Sequence, residues 1–208
     1  PVRATLAAFL NRAHFPIPDL LLASVGACCD DMSCLMQRLA DLETPLLWWE
    51  VPYRGGDEPT PEAVRFVTGQ LERVRRAIGD LVGHAVTDEM LGEGIRKANR
   101  VRSLLARIRD LSYGTIPAPF PALETQICEM LAIHFCSDLD ECIRVLADVL
   151  ATVERRAASG EGVLSADACR AVWVNPVADL RAMNLFEEMG GAIAGTEYLF
   201  RHALIPIP

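Results

Sequence analysis

No run in this sequence approaches eighteen uninterrupted apolar residues, so nothing in it is built to cross a bilayer. Arg3 and Arg12 flank a short helix-like stretch with no small-residue cleavage site behind it, which argues against a secretory leader in these residues. Basic charge is short too. Twenty Lys and Arg against 28 Asp and Glu leave a formal charge of −8, which argues against a nucleic-acid footprint with its concentrated basic face. The seven cysteines (28, 29, 34, 128, 136, 142 and 169) are odd in number and contain no C-x-x-C pair. A disulfide-stapled secreted domain is therefore disfavoured, and a reducing, cytoplasmic setting is expected. The four histidines, at 14, 84, 134 and 202, form no ligand cluster in sequence, and His134 with Cys136 lacks two further zinc partners. There is no G-x-S-x-G elbow and no G-x-x-x-x-G-K-[ST] phosphate loop.

What is present is apolar and patterned. The 208 residues are 51% hydrophobic and 23% charged, enough to bury a sizeable core in one large domain or two small ones. Leu20–Ser24, entered through Pro16-Ile17-Pro18-Asp19, reads as a buried parallel strand. A turn through Cys28-Cys29-Asp30 leads to a helix with Met32, Leu35, Met36, Leu39 and Leu42 on one face. Pro45 stops it, and a second strand, Leu46–Val51, ends at Pro52. Strand, helix and strand at this spacing predict a parallel βαβ unit.

Thr60 followed by Pro61 marks a helix start, and Val64, Val67, Leu71, Val74, Ile78 and Leu81 form an apolar stripe behind it. A second helix begins at Thr87 or Asp88 and carries Leu91, Ile95, Ala98, Leu105 and Ile108. Tyr113–Pro121 reads as a crossing loop, followed by helices over Ala122–His134 and Asp138–Ala157 and a linker at Ser159–Gly162. A second strand–helix–strand pattern then runs through Arg170–Val174, Val177–Met189 and Ala192–Ala194. The fold class expected is α/β, helix-rich, with Rossmann-like or flavodoxin-like parallel-sheet units and a large helical insertion. Its divisions are a partial α/β unit over 1–58, a helical segment over 59–158 and the start of a second α/β domain over 159–208. The second unit, with only two strands, leaves its sheet few partners, which suggests a fragment of a longer chain or an open edge that pairs with another chain.

Ligands of open α/β sheets bind at the carboxyl ends of strands, where the next helix offers unpaired N–H groups and a positive dipole end. Cys28-Cys29-Asp30 lies at such a place. A thiol there is a candidate iron ligand or nucleophile, against the plainer reading of two small residues filling a corner. Core filling is the expected role of Cys34, Cys128, Cys136, Cys142 and Cys169. Trp48 and Trp49 are either a substrate wall or core. Arg96, Lys97, Arg100, Arg102, Arg107 and Arg109 are candidates to clamp a CoA phosphate, with a solvated face or pairing between subunits as the competing reading.

The order Pro16-Ile17-Pro18-Asp19-Leu20, strand, Cys29-Asp30, apolar helix, Pro45, strand and Glu50-Val51-Pro52-Tyr53 resembles subunits of the 2-hydroxyacyl-CoA dehydratase and benzoyl-CoA reductase family. Gly94–Arg102, with Asn99 at its centre, is similar to that family's Asn-containing helix. Leu185–Ala192 followed by Thr196-Glu197-Tyr198 looks like the start of its second α/β domain. The resemblance implies a subunit of an oxygen-sensitive enzyme of anaerobic metabolism, a dehydratase (lyase) or acyl-CoA reductase. In that family an ATP-dependent activator protein passes a low-potential electron to a 4Fe–4S cluster, and from there it reaches an acyl-CoA thioester. The resemblance also implies a homologous second subunit. Carried onto this sequence, Cys29 is the expected iron ligand, with Cys28 as the alternative. Asp30, which follows the pair and is expected to cap the helix, and Ser24 are the expected cofactor-binding neighbours. The family places further ligands upstream and in the second domain, so this chain offers part of a ligand set. Glu50 also stands where the family more usually has Asp. A non-catalytic heterodimer partner and a double-cubane-type electron-transfer reductase are the alternatives within the same fold.

Overall fold

Prolines and helix caps divide this chain into elements before any long-range contact is made. The computed structural model describes residues 6–7, 9–12, 18–26, 30–40, 44–53, 56, 58–132, 137–174, 180–197 and 204–208. Among them the order is β1 (Leu21–Gly26), α1 (Asp30–Leu39), β2 (Leu46–Val51), α2 (Pro61–Val82), α3 (Asp88–Gly114), α4 (Ala122–Met130), α5 (Leu139–Ser159), β3 (Cys169–Val174), α6 (Leu180–Glu188) and β4 (Gly191–Glu197). The fold is α/β and helix-rich, as the patterning implies. The chain packs as two compact units, Pro1–Asp88 and Glu89–Pro208. The helical stretch read as 59–158 is thus shared between them, α2 with the first and α3 to α5 with the second.

In the first unit β1 and β2 pair in parallel, from Leu21 opposite Leu46 to Gly26 opposite Val51. Ala23, Leu35 and Leu39 are its buried apolar side chains among the described residues. α2 begins as the sequence demands: Thr60 Oγ1 accepts the Ala63 N–H at 3.2 Å, and Pro61 occupies the first turn. It ends at Gly83, whose φ of 78° lets its N–H reach back to Gly79 O at 3.0 Å. The apolar stripe of α2, however, is not buried; Val64, Leu71 and Leu81 are half exposed and no residue of the helix is fully covered. Twenty-two residues make a helix about 33 Å long, while two strands about 4.8 Å apart give a narrow surface. The sheet cannot cover the stripe.

What α2 does cover is an edge. Leu21 N–H donates to Pro45 O, so the odd-numbered residues of β2 turn their backbone toward β1 and the even-numbered ones turn away. On that outer side Arg73 Nη2 donates to Trp48 O at 2.8 Å, and the Glu50 N–H donates to Gln70 Oε1 at 3.2 Å. Arg73 Nη1 also donates to Gln70 Oε1, at 3.0 Å. The outer edge of β2 is occupied by two side chains of its own unit.

The second unit has the larger core. Val101, Leu104, Leu105 and Ile108 of α3 meet Cys128 of α4 and Cys142 and Leu146 of α5. Asp138 caps α5 through the Glu141 N–H at 3.0 Å. α3 continues through Tyr113 and Gly114, two residues into the stretch expected to be loop, because Ser112 and its neighbours still complete helical hydrogen bonds before Ile116 and Pro117 break them. β3 and β4 pair in parallel, with a one-residue irregularity after Ala171. Met183 and Ile193 seal α6 onto them, with Trp173 and Phe186 alongside.

Candidate functional site

The site begins where β1 ends. Gly26 has a φ of 93°, and a Cβ there would stand 2.2 Å from the carbonyl oxygen of Val51. Only glycine lets the strand leave the sheet so close to its partner. Four residues later α1 starts, with Asp30 and Asp31 in its first turn, where acidic side chains complement the helix dipole. Asp30, expected as the cap, is instead the first helical residue and is exposed. Ser24 is half-buried in β1, opposite Trp49. Cys28 and Cys29, the expected iron ligands, lie outside the described residues, as do His14, His134, Cys136, Tyr198 and His202.

Beside this exit, at the carboxyl end of β2, a cavity of about 640 Å³ opens. Val51, Pro52 and Tyr53 form one wall; Ala63, Val64 and Val67 of α2 form the other. Thr60, with its hydroxyl given to the Ala63 N–H, and Glu58 stand on the rim. A pocket of this size, mostly apolar and at the carboxyl ends of parallel strands, is where an α/β unit takes a ligand. Val51 belongs to both features: it lines the cavity and is registered with Gly26. The sequence reading used Pro52 and Thr60 as punctuation and Val64 and Val67 as core, and so missed the space between them. The available signal was the strand exit itself. Trp48 and Trp49 are half-buried and take no part in this lining.

The other cysteines divide. Cys128 and Cys142 are buried, as expected, but Cys34 and Cys169 are exposed, correcting their assignment to the core. Cys34 directly precedes the buried Leu35 and is turned about 100° around α1 from it, and Cys169 opens β3 at its unit's surface. Burial pushes the Cys128 thiol up to about 11, with Glu129 and Glu124 adding to the rise, so it stays protonated at neutral pH. Among the described residues no three His, Cys, Asp or Glu side chains gather as a metal site.

Four of the six basic side chains named on α3 have ion-pair partners. Lys97 pairs with Asp140 at 2.6 Å and Arg107 with Glu154 at 3.4 Å, both tying α3 to α5, while Arg96 pairs with Glu93 on its own helix. Arg109 bonds the buried Glu129, donates to Thr196 Oγ1 at 3.1 Å and lies 5.2 Å from the Tyr113 ring centre. Each of these four side chains has a carboxylate partner within the unit. Asn99 makes a two-way bond with the backbone of Ile207, donating at 2.6 Å and accepting at 2.8 Å.

No helix among the described residues is long and apolar enough to cross a membrane. Comparison with curated proteins found no match. A protein-family model described as 2-hydroxyglutaryl-CoA dehydratase, D-component, matches residues 1–206. With paired parallel strands, a glycine exit and a cavity at the strand ends, this chain belongs to the 2-hydroxyglutaryl-CoA dehydratase D-component family and is a 2-hydroxyacyl-CoA dehydratase subunit.

Proposed function

We propose that this subunit acts in the electron-driven removal of water from a 2-hydroxyacyl-CoA thioester, with the acyl group seated in the cavity at the end of β2. The family match over residues 1–206 carries the reading. Cys29, with Cys28 as the alternative, would hold iron of a 4Fe–4S cluster at the exit from β1. Adjacent thiols are a partial set, which donors elsewhere in the assembly complete. When bound, such a cluster supplies one-electron chemistry at low potential. The electron comes from an ATP-dependent activator protein, and a homologous second subunit completes the enzyme.

The chain's own residues do the binding and exclude water. Val51, Ala63, Val64 and Val67 offer the acyl chain apolar surface, where a thioester is shielded from bulk water. Gly26 brings the end of β1 against Val51, a residue that lines the cavity. The Thr60 hydroxyl oxygen accepts the Ala63 N–H in its cap, which leaves its O–H free to donate at the rim.

The test is anaerobic reconstitution with iron and sulfide in the presence of the companion subunit, read by EPR. A cluster signal that is lost or altered in Cys29→Ser is the expected result. A signal indifferent to both Cys29→Ser and Cys28→Ser sinks the assignment.

A further inference from the structure

Hydroxyls within the helices of this chain donate to a carbonyl one turn behind them. Ser103 reaches Asn99 O at 2.9 Å, Ser112 reaches Ile108 O at 2.7 Å and Thr125 reaches Pro121 O at 2.9 Å. Thr60 has no helical turn behind it. Its backbone is extended, with φ −71° and ψ 154°, and α2 begins at the next residue. Its side-chain oxygen accepts the Ala63 N–H at 3.2 Å and its carbonyl accepts the Val64 N–H at 3.0 Å. A hydroxyl oxygen that accepts along one lone pair still carries its proton, which points in another direction. Thr60 also lines the cavity at β2, beside Ala63, Val64 and Val67. A ligand with its apolar end against the valines turns its polar end to the rim, where this hydroxyl stands.

We infer that the Thr60 hydroxyl donates a hydrogen bond to the thioester carbonyl oxygen of the bound acyl-CoA, so that one side chain both starts α2 and orients the substrate. The inference rests on reading this cavity as the acyl site. The thioester joins the apolar acyl chain to the polar CoA arm, so it comes to the rim when the acyl chain is buried. The donor is also held in place before a ligand arrives. The Ala63 N–H fixes its oxygen and the Pro61 ring stiffens the backbone that follows, so little freedom is lost on binding.

Helix-cap chemistry supplies the test on the full chain. Serine caps a helix as threonine does and keeps the proton; glycine starts a helix at little cost but has no hydroxyl. Each variant is titrated calorimetrically with 2-hydroxyhexanoyl-CoA and with S-(2-hydroxyhexyl)-CoA, a thioether in which CH2 replaces the carbonyl. Thr60→Gly is expected to weaken the thioester roughly fivefold and leave the thioether unchanged, while Thr60→Ser matches wild type with both. Thermal unfolding read by circular dichroism checks α2 in each variant. Should glycine unsettle it, Thr60→Asp, a strong cap with no proton to give at neutral pH, repeats the comparison as the ratio of the two affinities. Val67→Trp, which fills the cavity, should weaken both ligands. If Val67→Trp does so but Thr60→Gly leaves the ratio unchanged, Thr60 is not the donor and the acyl site stands. If neither ligand binds, or Val67→Trp affects neither, the acyl site falls and this inference with it.

Discussion

Glu187 is a carboxylate where the pattern of α6 calls for an apolar side chain. It follows the fully buried Met183 by one helical turn and is itself buried. Its oxygens accept the N–H of Ala122 at 3.1 Å, at the start of α4, and that of Ile193 at 3.3 Å, in β4. One side chain therefore closes a helix terminus and a strand at once, an arrangement no apolar residue could supply. Burial raises its carboxyl above the ordinary 4.5; the two N–H donors oppose the rise and Glu124 adds to it. Since the folded value lies above the unfolded one, the fold favours the protonated form. The stability tied to this proton is complete below pH 4.5 and fades as pH climbs through the raised value. In urea unfolding across a pH series, wild type should lose stability relative to Glu187→Gln over that window and then run level with it. Parallel curves would mean that the carboxyl does not titrate against folding.

At the scale of elements, local chemistry was readable and pairing was not. β2 was bounded correctly because Pro45 and Pro52 enclose it, and α2 because Thr60 and Pro61 announce it. The parallel pairing of β1 with β2 followed from the helix between them. The bonds from Gln70 and Arg73 to Trp48 and Glu50 link residues 20 to 25 positions apart, and nothing in a helical pattern marks two polar residues as edge caps. Separations of 20 and 87 positions likewise hid the Arg109–Glu129 pair and the bond from Arg109 to Thr196. The edge caps have a consequence. Removing both side chains by Gln70→Ala with Arg73→Ala exposes one backbone acceptor and one donor on a strand edge. Light scattering after gel filtration should show the double variant self-associating at concentrations where wild type does not, with circular dichroism little changed. A double variant with wild-type mass at every concentration would remove the protective role.

The two units differ in how much apolar surface they bury, and this difference belongs to the molecule as a whole. The second holds a core in which Ile108 and Leu146 are wholly inaccessible, shared among α3, α4 and α5. The first closes on Ala23, Leu35 and Leu39 among its described residues, and its longest helix has no fully covered side chain. That contrast was not legible from periodicity, because Val64, Val67 and Leu71 repeat as regularly as Val101, Leu105 and Ile108; a stripe records which face is apolar, not whether anything meets it. Local stability follows burial, so opening should be easier in the first unit. Hydrogen exchange on the full chain reads this directly. Amides of α2 should exchange at least about tenfold faster than those in the middle of α3 and α5, a gap of roughly 1.4 kcal/mol in opening free energy. Binding of a 2-hydroxyacyl-CoA thioester beside Val64 and Val67 should slow the first two turns of α2 while leaving α5 unchanged. Equal protection of α2 and α5 in the unliganded chain would show that the half-exposed stripe is held by more than β2, and would overturn the assignment of the first unit as the softer of the two.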